Sequence, residues 1–246
     1  MKNISWKIWV ALSLISLTIA LHFVHYLVFR DAHHVFIYLL GDIAFLPLEV
    51  LLVTFVIERL LNEREKQTML KKLNILIGTF YIEAGTILIR HCSGFVSDIS
   101  EMSRHMLVSS KWSDKDFANA KNIILNSAPD IDSRRGDLES LRNFLESKKP
   151  FLLSLLANPN MLEHDAFTDL LWAVFHLDEE LSFRSDLKNL LSTDYQRLSG
   201  DMKRAYTQLL AEWLAYMKHL KSDYPYLFSL AARTNPLDAN ADPVVK

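Results

Sequence analysis

Asp42 and Glu49 lie inside "VFIYLLGDIAFLPLEVLLVTFVI" (residues 35–57), a run with no other charge. Carboxylates in so apolar a helix can take up a proton or cation, pair with a base, or hydrogen-bond to a neighbouring helix. Being seven residues apart, they differ by only about 20° on a helical wheel and share one face. A charge at the centre of a bilayer costs roughly 3 kcal/mol on insertion scales, so such a face turns toward protein or water. The preceding apolar run carries His22 and His25. In a tight hairpin His22 falls level with Asp42, and His25 lies one turn nearer the linker. At the linker, Asp31, His33 and His34 bring an acid and two imidazoles together. That set suits a pH response or a metal ion on the outer face, because imidazole titrates near neutrality and ligates metals.

A second group of candidates sits downstream. Asp169, His176 and Glu180 fall on one face of a helix, and Glu212 and His219 share a face of another. Facing helices with such groups hold metals in carboxylate-bridged helical bundles. That class uses Glu-x-x-His, a spacing absent from both segments. The expected roles are solvated or capping acids and hydrogen-bonded core histidines, with a helical-bundle metalloprotein as the alternative.

Two apolar runs must position the first group. Residues 8–29 carry no charge and are long enough to cross a bilayer as a helix. Lys2 and Lys7 before them also suit a signal peptide, but the run exceeds a signal h-region and no small-x-small cleavage site follows. Residues 35–57 form the second span, joined by the short linker "RDAHH". Lys2 and Lys7 precede this hairpin, and Arg59, Arg64, Lys66, Lys71 and Lys72 follow it, whereas the linker holds Arg30 beside Asp31. The positive-inside rule then predicts a multi-pass protein of the cytoplasmic (inner) membrane, with both termini cytoplasmic and the linker outward. Ser13, Ser16 and Ala20 form a small-residue stripe on α-helical spacing, opposite Thr18, His22 and His25. One side faces the second helix, and the other predicts association with further copies or with another membrane protein. Pro47 removes a backbone hydrogen bond and predicts a kink near Glu49.

The rest reads as all-α. Leu73, Leu76, Ile77, Phe80, Ala84, Ile87 and Leu88 follow 3/4 spacing, an amphipathic stripe in a stalk over residues 58–95. A helical cytoplasmic domain over residues 96–235 follows. Within it, Ser113 is the expected N-cap of "SDKDFANAKNIILN", and "DSRRGDLESLRNFLES" is interrupted by Gly136. "KPFLLSLLANPN" forms a separate short helix begun by Pro150, and the last long helix breaks before Pro225. Residues 236–246, "PLDANADPVVK", have the composition of a disordered tail. The hairpin is thus assigned to residues 1–57.

Composition narrows the function classes. A formal charge of −2 gives no reason to expect nucleic acid. One cysteine, Cys92, excludes an internal disulfide and a CxxC zinc site. The six glycines form neither GxGxxG nor GxxxxGK[ST], and GxSxG and HExxH are absent. No cofactor and no enzymatic activity are expected. The segments "VIERLLNEREKQTMLKKLNILIGTFYIEAG", "FTDLLWAVFHLDEEL" and "EWLAYMKHLKSDYPYLFSLAARTNP" resemble a family of prokaryotic two-span membrane proteins with no assigned activity. That resemblance implies a membrane protein and carries over no site residue. The leading expectation is a membrane-anchored helical interaction, scaffold or sensor module whose partners are the bilayer and a second copy or another membrane protein. The alternative is an oligomeric channel or proton- or cation-linked transporter using Asp42, Glu49 and His22.

Overall fold

Long runs of Leu, Ile, Val and Phe with few breakers dictate helix from the outset. In the computed structural model, residues 2–244 are described, apart from the side chains of residues 2–5, 7, 32, 34, 67 and 162. The first two helices are α1 (Lys2–Phe29) and α2 (Ala32–Phe80). Two residues turn the chain between them. Arg30 adopts the left-handed φ of 49°, a conformation costing a non-glycine residue about 1–2 kcal/mol. Its N–H closes the end of α1 on the Tyr26 carbonyl at 2.8 Å. Asp31 then starts α2, its Oδ1 accepting the His33 N–H at 2.9 Å. Pro47 lies within α2, which remains one assigned helix across it.

The chain divides into two units, Met1–Lys66 and Gln67–Lys246. In the first unit, most of the described apolar side chains are exposed. Ile8–Phe29 and Val35–Ser93 each contain a stretch long and apolar enough to cross a membrane, and 0% of that stretch is buried inside the chain.

The second unit has an ordinary core. Its helices are the end of α2, a π-helical turn (Tyr81–Gly85), α3 (Thr86–Ser93), α4 (Ile99–Arg104), α5 (Asp114–Asn126), α6 (Leu138–Leu156), a 3-10 turn (Met161–Glu163), α7 (Asp165–Ser182), α8 (Ser192–Asp223) and α9 (Pro225–Arg233). The long α8 is the central post, with α7, α5, α9 and α3 packed around it, and α6 lies against α7. Leu198, Met202, Tyr206, Leu209, Trp213 and Met217 give α8 its buried face at 3/4 spacing. Among the described residues no strand forms, and Val96 and Ile131 meet in an isolated antiparallel bridge.

Local signals account for most helix ends. Ser113 caps α5 in a reciprocal box, its Oγ accepting the Asp116 N–H and Asp116 Oδ2 accepting the Ser113 N–H at 2.6 Å. α8 ends at Asp223, ahead of Pro225, which opens α9. Three expectations need correction. Pro150 does not start a helix: α6 runs through it from Leu138. Leu141, Leu145, Leu152 and Leu155 lie buried along α6 on both sides of the proline, and this packing keeps one helix where local preference breaks it. The proline itself is exposed. The segment 58–95 also divides. Its first residues are exposed, whereas Leu73, Ile77, Phe80, Ala84 and Leu88 of the amphipathic stripe are core residues of the second unit. Finally, Leu237, in the segment read as a disordered tail, is buried, and its N–H donates to Asn235 Oδ1 at 3.0 Å.

Candidate functional site

In the first unit, polar side chains gather on one cavity. His22 is one helical turn beyond Thr18, and its Nδ1 lies 3.0 Å from the Thr18 carbonyl. A carbonyl only accepts, so Nδ1 carries the proton in this contact and Nε2 faces away from it. Thr18 Oγ1 itself donates to the Leu14 carbonyl at 3.0 Å. The ring of His25 lies 4.7 Å from that of Phe29 and 6.2 Å from that of Tyr38. His22 and His25 from α1 and Tyr38 and Asp42 from α2 then line a cavity of about 280 Å³, completed by Leu21 and Val35. Glu49 is exposed on α2 and is not among the lining residues. Two imidazoles, a phenol and a carboxylate in one small space can exchange a proton.

At the linker two of the three side chains are described. Asp31 caps α2, His33 is exposed, and the His34 side chain lies outside the described residues, as do those of Lys2 and Lys7.

The second unit rearranges the downstream candidates. Asp169 is exposed on α7. His176 and Glu180, one turn apart on α7, are joined instead by Asp201 of α8, and one ligand atom from each lies within 4.8 Å of the others. His176 Nε2 is 3.5 Å from Asp201 Oδ1 and 3.8 Å from Glu180 Oε1. Asp201 is only 7% exposed, and its Oδ2 has no hydrogen-bond partner. An imidazole and two carboxylates suit a divalent cation, but guanidiniums already hold the acids. Arg184 Nη1 binds Glu180 Oε2 at 2.7 Å, Arg197 Nη2 binds Glu180 Oε1 at 2.9 Å, and Arg204 lies 3.9 Å from Asp201. The Arg184 bond is the main reason the Glu180 carboxyl titrates below its usual range. A metal ion entering here must displace or oppose three cations, so we read the cluster as an ion-pair network clipping α7 to α8.

Glu212 and His219 form no common centre with it. Buried Glu212 pairs with Lys121 at 3.1 Å. His219 Nδ1 is 3.2 Å from Asn74 Nδ2 and 3.3 Å from Asp223 Oδ2.

Besides Asp201, a second buried charge escaped the sequence reading. Asp178, 1% exposed, accepts from Lys149 Nζ at 2.7 Å across α6 and α7, and its Oδ1 has no hydrogen-bond partner. That hydrogen bond holds the Lys149 ammonium above its usual range. In sequence Asp178 reads as the first acid of a solvated "DEE". Its position one residue after buried Leu177 and three before buried Leu181 was the available signal.

An all-helical protein with an apolar N-terminal pair and a packed C-terminal domain is thus the class defined. Relatives divide the same way. Residues 2–61 match "MJ1433, N-terminal helical domain", and residues 69–233 match "Uncharacterized protein MJ1433, C-terminal helical domain". The chain belongs to this family. It is 40% identical over 238 residues to the uncharacterized protein MJ1433 of Methanocaldococcus jannaschii, covering 97% of this chain and 96% of the relative. No solved structure matches.

Proposed function

We propose that residues 8–57 insert as a hairpin in the cytoplasmic membrane and anchor the helical unit from Gln67 onward on the cytoplasmic side, where it serves as an interaction module. The carrying observation is the outward apolar surface of α1 and the first half of α2, with 0% of each crossing stretch buried inside the chain. In water such surface is unfavourable by about 25 cal/mol per Å², and a bilayer removes that cost. The cations at 59, 64 and 66 against the lone Arg30 of the linker support the orientation. Exposed Phe183, Leu191 and Trp172 in the second unit support a role in binding other proteins. Alkaline carbonate extraction of membranes carrying the full chain tests the anchoring. Retention in the pellet is expected, and release to the supernatant overturns it.

The cavity lined by His22, His25, Tyr38 and Asp42 favours a second reading, in which several hairpins assemble and these groups relay protons. Proton flux into vesicles bearing the protein then falls with Asp42→Asn. Flux equal to that of empty vesicles excludes it.

A further inference from the structure

Beside the π-helical turn Tyr81–Gly85, within the second unit, lies a cavity of about 330 Å³ distinct from both clusters above. Its inner wall is Tyr81, Trp213 and Leu220, all buried, and its rim includes the exposed Ile82, Leu227 and Leu230. The local backbone shapes this wall. The Thr86 N–H bonds the Tyr81 carbonyl five residues back, and Thr86 Oγ1 donates to the same oxygen at 2.8 Å. Such turns insert a residue into a helix and recur at functional sites. Gly85 lets the wall close up, since a Cβ there would stand 2.6 Å from Tyr81 Cδ1. The Tyr81 ring stacks on Tyr216 at 5.0 Å, and its hydroxyl donates to the Leu209 carbonyl at 2.9 Å. The phenol's polar atom is therefore spent within the protein, and burial pushes its pKa well up. What the wall offers a ligand is aromatic and aliphatic surface.

Arg90 supplies the charge. It is the charged residue lining the cavity, it is exposed, and its Nη2 reaches the Thr234 carbonyl only at 3.5 Å. No ion pair to Arg90 is found among the described residues. An apolar cleft with one under-used guanidinium at its edge is complementary to a molecule with a hydrocarbon tail and an anionic head. A volume at the small end of the roughly 300–1,000 Å³ range of ligand pockets admits one chain and not the two of a bilayer phospholipid. A protein partner would need a broad face of about 800 Å² per side, which a cleft of this size does not supply.

We propose that this cavity binds a single-chain amphiphile with an anionic head, its tail against Tyr81, Trp213 and Leu220 and its head on Arg90. The site lies wholly in the second unit and does not depend on where the hairpin resides.

Photo-crosslinking tests it with the full chain in phosphatidylcholine vesicles, using an alkyne-tagged dodecanoate bearing a diazirine near the tail end. The same chain ending in an ammonium group is the control. Peptides are then mapped by mass spectrometry. Adducts are expected on the α8 and α9 peptides holding Trp213 and Leu230, for the carboxylate probe and not for the ammonium one. Unlabelled dodecanoate should compete, Arg90→Ala should lower adduct yield about tenfold, as expected for loss of a charge-assisted hydrogen bond, and Arg90→Lys should restore most of it. Ala231→Trp, which fills the cavity, should abolish labelling. Because Arg90 is exposed, its variants fold, and circular dichroism verifies this; they decide the matter if Ala231→Trp does not fold. Equal labelling by both head groups, yield unchanged by Arg90→Ala, or equal labelling by a two-chain phosphatidylglycerol probe overturns the proposal.

Discussion

Leu14, Ile15, Phe45 and Leu52 in the first unit are each more than half exposed, whereas Phe167, Leu170, Leu171 and Val174 in the second are sealed from solvent. The same side-chain types in the same kind of helix meet two fates. In the second unit these four are covered by other parts of the same chain, with α8 the main neighbour of α7. In the first, two helices alone cannot enclose one another, so the surroundings must supply the remaining contacts. Hydrophobicity alone does not separate a core helix from a span; what separates them is whether enough other helices exist to cover it.

Substitutions matched across the two units sharpen that contrast. Phe167→Ala should have the largest effect. Its ring meets Phe80 edge-on at 5.1 Å in a closed core, and loss of a buried phenylalanine costs about 3–5 kcal/mol. Phe45→Ala should leave the thermal midpoint of the second unit unchanged. Equal losses in a thermal melt would mean that Phe45 is a core residue after all. Leu14→Arg comes next. It should reduce the membrane-inserted fraction by the equivalent of about 2.5–3.5 kcal/mol, the cost of a mid-span arginine, with no change in the circular dichroism of residues from Gln67 onward. Unaltered fractionation would argue that α1 does not meet lipid.

The glycines give a finer comparison. A Cβ at Gly85 would sit 2.6 Å from the Tyr81 ring and 2.7 Å from Phe80, whereas one at Gly41 meets nothing within 4 Å. Gly85→Ala should therefore destabilise by about 1–3 kcal/mol through overpacking. Gly41→Ala should be neutral or favour helix by up to about 1 kcal/mol. Urea midpoints read the first and helix content in membranes the second.

The smallest effect should be a pH dependence confined to the second unit. The bond from Arg184 lowers the folded pKa of Glu180 below its unfolded value, which is about 4.3. Its contribution is fully present above that unfolded value and is lost as pH falls through the lower folded one. Between pH 5 and pH 3, Glu180→Gln should thus narrow the loss of stability relative to the unsubstituted protein, by about 1 kcal/mol or less. An identical pH profile for the two would remove Glu180 from the network.

Much of this fold can be read from residue order because its causes are local. The Ser113 cap, the stop at Asp223 before Pro225, and the two apolar stretches each need only a few neighbours to explain them. Local preference starts a new helix at Pro150, but leucines on both sides of it are buried along α6, a fact of tertiary packing that local preference does not contain. The π-helical turn at Tyr81–Gly85 was not among the expectations, and there a Cβ on Gly85 would meet the Phe80 and Tyr81 rings. The candidate sites follow the same division. Helical spacing places His176 beside Glu180 and Asp42 on one face with Glu49. It cannot find Asp201, which arrives from another helix, or foresee that Arg184 and Arg197 would occupy Glu180. The pocket beside Arg90 depends on α8 and α9 meeting α3, and no single stretch of sequence encodes that meeting.

Cys92 offers a clean route to the central claim, that the hairpin spans the membrane with its linker outward. It is buried, and burial pushes its thiol pKa up to about 12, so it should be silent toward thiol reagents in the folded protein. A single cysteine introduced at an exposed position then reports its own location. His33→Cys in the linker and Lys115→Cys on α5 should be treated, in intact cells, with a membrane-impermeant maleimide. The expected result is labelling of His33→Cys in intact cells and of Lys115→Cys only after lysis. Labelling of neither or of both before lysis, or the reverse pattern, would contradict the orientation, and recovery of either variant in the soluble fraction would contradict the hairpin itself.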